Sequence, residues 1–417
     1  MTYRDLPALL TVEEALAANS RFEQGPILWN RGDVATLANA PIQIEGEFEV
    51  GGQEHFYLEG QVAAAIPQED GMHILSSTQH PTEIQHKVAH ALHLPMSAVR
   101  VEMRRMGGGF GGKESQGNAL AVACALAAHA TGKPCKMRYD RDDDMVITGK
   151  RHDIKIRYRA GADAQGRLIA VDFTHLIRCG WSQDLSLAVA DRAMLHADNC
   201  YFIPNIRIES HRLKTNTQSA TAYRGFGGPQ GIIGIERVID HLAHTLGLDP
   251  ADVMQRNLYA PMGTAPQTTP YGMAVEDSIT DKILTTLINS SDYHARKAAI
   301  AAFNATSPLL KKGIAVTPVK FGISFTLTWL NQAGALVHVY QDGSVIVNHG
   351  GTEMGQGLNQ KVAQVTAAVF GLTAAEVKIT AADTAKVPNT SATAASSGSD
   401  LNGKAAENAA LTIRDRI

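Results

Sequence analysis

Apolar residues alternate with polar ones over residues 42–48 and again over 55–65, with Gly51 and Gly52 between them, which predicts two strands. Ahead of these, Thr11 stands where an N-cap would open a short helix over residues 12–18. Residues 19–40 carry no clear period and contain the breakers Asn30, Gly32 and Asp33, so they are expected to be loop. The pattern turns helical from Pro81 to Leu92 and extended over 99–106. Residues 116–131 are dense in alanine and leucine and stop at Gly132, Lys133 and Pro134, a helix with a clear end signal.

Strands are predicted at 135–139, 154–159 and 168–176, the last two joined by a turn at Gln165 and Gly166. A helix over 231–246 closes at Gly247, and Asp249 followed by Pro250 opens another. Residues 259–277 are rich in proline, glycine and threonine and begin a linker. Beyond it come a hairpin over 335–340 and 344–349 around Asp342-Gly343, a helix over 358–370, a strand over 377–379, and a helix after residues 400–402. The pattern is α+β with mixed sheets in two parts, and no solenoid repeat is visible.

Composition narrows the function. With 417 residues, 44% hydrophobic and 19% charged, the chain is long enough for two or three folded domains. A net charge of -3 provides no basic field, so nucleic acid is not an expected partner. No apolar run is long enough to cross a bilayer and no export signal follows Met1, so no membrane partner is expected and the expected compartment is the cytoplasm. Cys124, Cys135, Cys179 and Cys200 are scattered without a C-x-x-C pair, which supports neither a zinc ribbon nor an iron-sulfur cluster.

Four loops of small residues each run into a helical segment. They are MGGGFGGKE at 106–114, RGFGGPQ at 224–230, HGGTEMGQG at 349–357 and SATAASSG at 391–398. Helix starts carry unsatisfied N–H groups and partial positive charge, so several converging starts suit a large, multiply anionic ligand. Any single glycine pair is more simply a turn or a tight packing point. Gly107, Gly109 and Gly112 also match the G-x-G-x-x-G dinucleotide fingerprint, with Asp140 placed where a ribose-binding acid could sit.

These loops, with GGQEHFYLE at 51–59, STQ at 77–79, DRDDDMVITGKRH at 140–152, KFGISFTL at 320–327, NQAGALVHVY at 331–340 and SDLNG at 399–403, resemble the molybdenum hydroxylases of the xanthine oxidase family. Within them, the likeness is to the molybdenum-binding large subunit of the xanthine dehydrogenases. It implies a molybdenum-molybdopterin cofactor gripped by the loops, with the metal held by the pterin's sulfurs and no protein thiolate or imidazole. Gln79, Phe110, Gly111, Arg224 and Ala395 match the positions beside the metal. Glu114 and Arg192 match the polar pair that binds and polarises a purine. Phe226 and Phe325 match the residues that sandwich the ring, and Thr326 a substrate hydrogen-bonding position. Trp329 departs from the apolar residue expected near the substrate channel.

The implied activity is oxidative hydroxylation of a purine, hypoxanthine to xanthine to urate, with oxygen taken from water. FAD and [2Fe-2S] clusters are expected on other subunits or domains, in a dimer of heteromers. The family's general-base glutamate has no counterpart before Ile417, so the chain is expected to be a fragment, inactive alone. Its expected divisions are a remnant of the preceding α/β hammerhead domain at 1–32, a first cofactor domain at 33–265, a linker at 266–286 and part of a second cofactor domain at 287–417. The alternatives are a related aldehyde or N-heterocycle oxidoreductase, a dinucleotide-binding module, and a non-catalytic scaffold.

Overall fold

The computed structural model describes Tyr3 and residues 5–417; Met1, Thr2 and Arg4, the start of the expected hammerhead remnant, lie outside the described residues. Among the described residues, three larger sheets, each with its own apolar core, organise the chain, and Gln267–Thr268 pairs with Ala274–Val275 in a separate two-stranded ribbon.

The first sheet is five-stranded, in the order Ile27–Arg31, Asn205–Lys214, Leu168–Gly180, Ile154–Ala162, Ile42–Val50. All its pairs are antiparallel except that between Leu168–Gly180 and Asn205–Lys214. Its inward residues, among them Ile156, Phe173 and Ile208, pack against Ile235, Val238, Ile239 and Leu242 from one face of helix Gly228–Leu246. That helix ends at Gly247 in a left-handed cap, as its sequence predicts.

The second sheet has the order Ala382–Asp383, Val99–Met103, Gly71–Ser76, Val62–Gln68, Cys135–Arg138. Helices Pro81–Leu92 and Asn118–Thr131 bury Ile84, Val88, Leu120 and Ala125 against it. The third is three-stranded, with Ala335–Val339 and Val345–His349 as the hairpin and Val377–Ile379 parallel to Val345–His349. Helices Leu358–Phe370 and Gly398–Arg414 cover it. Ala382–Asp383 leaves this third unit to pair with Val99–Met103, so one short strand ties the late part of the chain to the early part.

Several expectations need correction. Residues 19–40 are not all loop, since Ile27–Arg31 pairs with Asn205–Lys214 and Val34–Asn39 forms a short 3-10 helix capped by Asp33. The strand expected over 55–65 begins only at Val62, because His55, Tyr57 and Gln61 are buried and bond to Ala222 and Asp144 far along the chain, while Phe56 and Leu58 between them stay exposed. The last helix starts at Gly398, ahead of residues 400–402. The dinucleotide alternative fails on topology: Cys135–Arg138, the strand after the glycine loop and its helix, lies at the far edge of the sheet from Val99–Met103 and pairs antiparallel with Val62–Gln68.

Candidate functional site

The four small-residue loops converge on one cavity of about 980 Å³. Gln79, Phe110, Gly111, Glu114, Arg192, Arg224, Phe226, Phe325, Thr326 and Ala395, the ten residues singled out in the sequence, all line it. The convergence has a backbone cause. Phe110, Phe226, Ala395 and Ser396 all hold positive φ, between +52° and +58°, although none is glycine. Such strain costs on the order of 1–3 kcal/mol at each position and persists where neighbours over-determine it, typically at functional sites.

The glycines are needed on the side away from the cavity. Gly111, at φ +98°, would bring a Cβ within 2.8 Å of the Ala222 carbonyl oxygen. Gly227, at φ +95°, would drive one into the Val189 carbonyl. The bare backbone therefore packs closely on protein, as the simpler reading of these glycines has it, while residues of the same loops line the hollow. The N–H groups of Gly108, Phe110, Gly225, Ala395 and Ser396 donate to no acceptor among the described residues. Gly398 and Ser399 add the open N-terminus of the 17-residue helix Gly398–Arg414.

Gln79 is buried and holds the first loop in shape. Its Oε1 accepts from the amides of Gly111 at 2.9 Å and Lys113 at 3.3 Å, and its Nε2 donates to the Thr393 carbonyl at 3.1 Å. Lys113, fully buried, donates to the Glu59 carbonyl at 2.7 Å and to Ser77 Oγ at 2.8 Å, and lies 3.3 Å from Glu59 Oε2. Glu59 in turn accepts from the Gly107 amide at 2.8 Å. The first loop is thus anchored from below by a glutamine, a lysine and a glutamate. The role of Lys113 was hidden in the sequence, because an isolated lysine after glycines looks like a solvated charge.

Glu114 has no basic partner. Burial, with Asp184 and Glu83 nearby adding like charge, pushes its carboxyl up to about 8, so at neutral pH it is a protonated donor. Arg192 is buried as well. Its two terminal nitrogens donate to the carbonyls of Gly322 and Ser324, while Nε has no partner, and burial lowers its affinity for the proton. Phe321, passed over in the sequence, lies beneath the guanidinium, 5.8 Å from it to the ring centroid. Its place beside Phe325 in KFGISFTL was the available signal. Trp329 is 69% exposed and does not line the cavity.

A cavity this size, walled by unpaired amides and a helix N-terminus at one part and by an acid, a guanidinium and phenylalanines at another, fits a large anionic cofactor with an aromatic substrate beside it. Lys361, in the second turn of helix Leu358–Phe370, adds a cation to the lining. Residues 17–258 match the molybdopterin cofactor-binding domain family, and residues 286–417 match a second family of the same description. The chain belongs to the molybdopterin cofactor-binding family.

Curated relatives agree along its whole length. It is 44% identical over 418 residues to xanthine dehydrogenase of Drosophila subobscura and 42% identical over 419 residues to xanthine dehydrogenase/oxidase of Felis catus. Each match covers 100% of this chain and 31% of the relative, so the chain spans about a third of their length. Among solved structures, quinoline 2-oxidoreductase from Pseudomonas putida 86 superposes with a TM-score of 0.88 at 24% identity, over 100% of this chain and 55% of that one. Aldehyde oxidoreductase from Desulfovibrio gigas does so with a TM-score of 0.80 at 26% identity, over 97% of this chain and 45% of that one. The α+β fold with mixed sheets is thereby that of the molybdopterin-binding oxidoreductases.

Proposed function

We propose that this chain forms the cofactor and substrate walls of a xanthine dehydrogenase-type enzyme, which hydroxylates hypoxanthine to xanthine and xanthine to urate with oxygen from water. The observation that carries the reading is that Glu114, buried without a basic partner, and Arg192, whose guanidinium bonds main-chain carbonyls and no carboxylate, line the one cavity that the glycine loops enclose. The cofactor would be held by the amides around Phe110, Gly225 and Ala395 and by the start of helix Gly398–Arg414, with Gln79, Gly111 and Arg224 beside it. When bound, it supplies the two-electron redox chemistry and the activation of water.

The side chains of this chain do the rest. A neutral carboxyl both donates and accepts, matching the adjacent N–H and C=O groups on a purine edge. Arg192 places fixed positive charge where negative charge gathers on the ring during attack, and such preorganised stabilisation contributes roughly a hundredfold or more in rate. Phe226 and Phe325 offer apolar faces to a flat ring, and Thr326 a hydroxyl. Electrons would leave through [2Fe-2S] clusters to FAD on other domains or subunits, in a dimer of heteromers. We also retain the division into cofactor parts at 33–265 and 287–417 with a linker at 266–286.

The test compares xanthine with an aromatic aldehyde as substrates of the full-length enzyme and its Arg192→Met variant. The reading expects kcat/KM for xanthine to fall about a hundredfold in the variant, with the aldehyde rate far less affected. A full-length enzyme that prefers the aldehyde, or a variant that keeps its xanthine rate, would favour the aldehyde or N-heterocycle alternative.

A further inference from the structure

The segment that brings Phe325 and Thr326 to the cavity has little regular structure of its own. Residues 311–327 contain neither helix nor strand. Its position must therefore come from what it is bonded to: the Ser324 amide donates to the Ala395 carbonyl at 2.8 Å, the Phe325 amide and carbonyl pair with the Asn331 side chain at 2.8 and 3.0 Å, and residues 318–324 are bonded to the end of helix Ser186–Leu195. Asn199 donates from Nδ2 to the Pro318 carbonyl at 2.8 Å and accepts at Oδ1 from the Lys320 amide at 2.9 Å. Asp198 takes the Lys320 ammonium at 2.6 Å. Arg192 donates to the carbonyls of Gly322 and Ser324.

Between them stands His196, the cap of that helix, with both ring nitrogens in use. Nδ1 lies 2.8 Å from the Arg192 carbonyl oxygen, and Nε2 lies 3.1 Å from the Gly322 amide nitrogen. A carbonyl oxygen can only accept and an amide N–H can only donate, so the ring must be neutral with its proton on Nδ1. The Phe321 ring leans on the imidazole with centroids 5.0 Å apart. Burial and the neighbouring Arg192 and Lys320 charges hold His196 down to about 4, which keeps this tautomer across the working range.

Resting on the substrate reading above, we propose that His196 is a positioning residue that sets the Phe325 and Thr326 wall relative to Arg192, and so fixes how tightly the planar substrate is held. Its imidazole joins the backbone of Arg192 to the backbone two residues before Ser324. The Arg192 guanidinium reaches the Gly322 carbonyl, and His196 adds a second link through the Gly322 amide. Loss of the Nε2 acceptor frees the Gly322 amide and lets the segment shift. Ground-state holding of the ring weakens, while the reacting groups are untouched.

The test uses the full-length holoenzyme and two variants that separate the two nitrogens. His196→Gln reaches the Nε2 position and keeps an acceptor for Gly322, whereas His196→Asn reaches only the Nδ1 position and loses it. For the substrate that the wild type turns over best, His196→Asn is expected to raise KM roughly three- to tenfold with kcat within about threefold, the loss of one hydrogen bond. His196→Gln is expected to stay near the wild type. Trypsin cleavage after Lys320 gives a readout independent of turnover, accelerated in the asparagine variant and not in the glutamine one. If His196→Asn does not accumulate as folded enzyme, His196→Phe, which keeps the ring packing on Phe321, replaces it with the same expected outcome.

An unchanged KM with an unchanged cleavage rate in the asparagine or phenylalanine variant would overturn the proposal. So would a glutamine variant impaired as severely as the asparagine one. A wild type inactive on xanthine but active on an aldehyde would instead count against the purine reading alone, since the KM pattern and the cleavage pattern would still decide the role of His196.

Discussion

Glu114→Gln tests the electrostatic centre of the site without touching its shape. In the folded chain the Glu114 carboxyl keeps its proton up to about 8, against 4.5 for an unperturbed glutamate. Between those values the unfolded chain has released the proton and the folded chain has not. The unfolded state then binds fewer protons, so the wild type loses stability as pH rises through this window, by about 1.4 kcal/mol per pH unit. Glutamine is neutral in both states and contributes no such slope. The variant should therefore gain on the wild type by about 1 kcal/mol at pH 5 and on the order of 4 kcal/mol at pH 8. Urea unfolding of the ligand-free chain and the variant at both pH values measures the difference. A gap that stays constant between pH 5 and pH 8 would refute the reasoning, because it would mean that Glu114 is already ionised in the native state.

Other perturbations probe the walls. Lys113→Ala strips a fully buried ammonium from Glu59 and Ser77 and should cost about 3–5 kcal/mol, read as a lower denaturant midpoint. Gly111→Ala forces a Cβ against the Ala222 carbonyl in a left-handed backbone, so it should cost about 1–3 kcal/mol and reduce the molybdenum content of the full-length enzyme. Gln79→Ala leaves the Gly111 and Lys113 amides without their shared acceptor, and should lower metal content more than it lowers the unfolding midpoint. Phe226→Ala should raise KM for xanthine about tenfold while leaving metal content intact.

The elements that the sequence announced clearly were those whose ends carry their own chemistry. Gly132, Gly247 and Gly371 stop their helices in left-handed caps, Asp249 and Pro250 start one, and Asp342-Gly343 turns a hairpin. Ile27–Arg31 was obscured because its partner, Asn205–Lys214, lies far along the chain, and Gly32 and Asp33 beside it look like turn residues when read locally. The ten site residues were visible only through their motifs, and the structure places them around one hollow. What fixes their geometry was not visible. The Lys113 and Glu59 anchor and the His196 bridge join residues tens of positions apart, and neither a buried lysine nor a buried neutral histidine leaves a local pattern.

The central claim is that these loops enclose the molybdenum centre beside the purine pocket. Anomalous scattering at the molybdenum edge, from crystals of full-length enzyme with stoichiometric metal, tests it most directly. The expected peak lies inside the cavity among Gln79, Gly111, Arg224 and Ala395. A peak elsewhere in the molecule, with this cavity empty, would contradict the account.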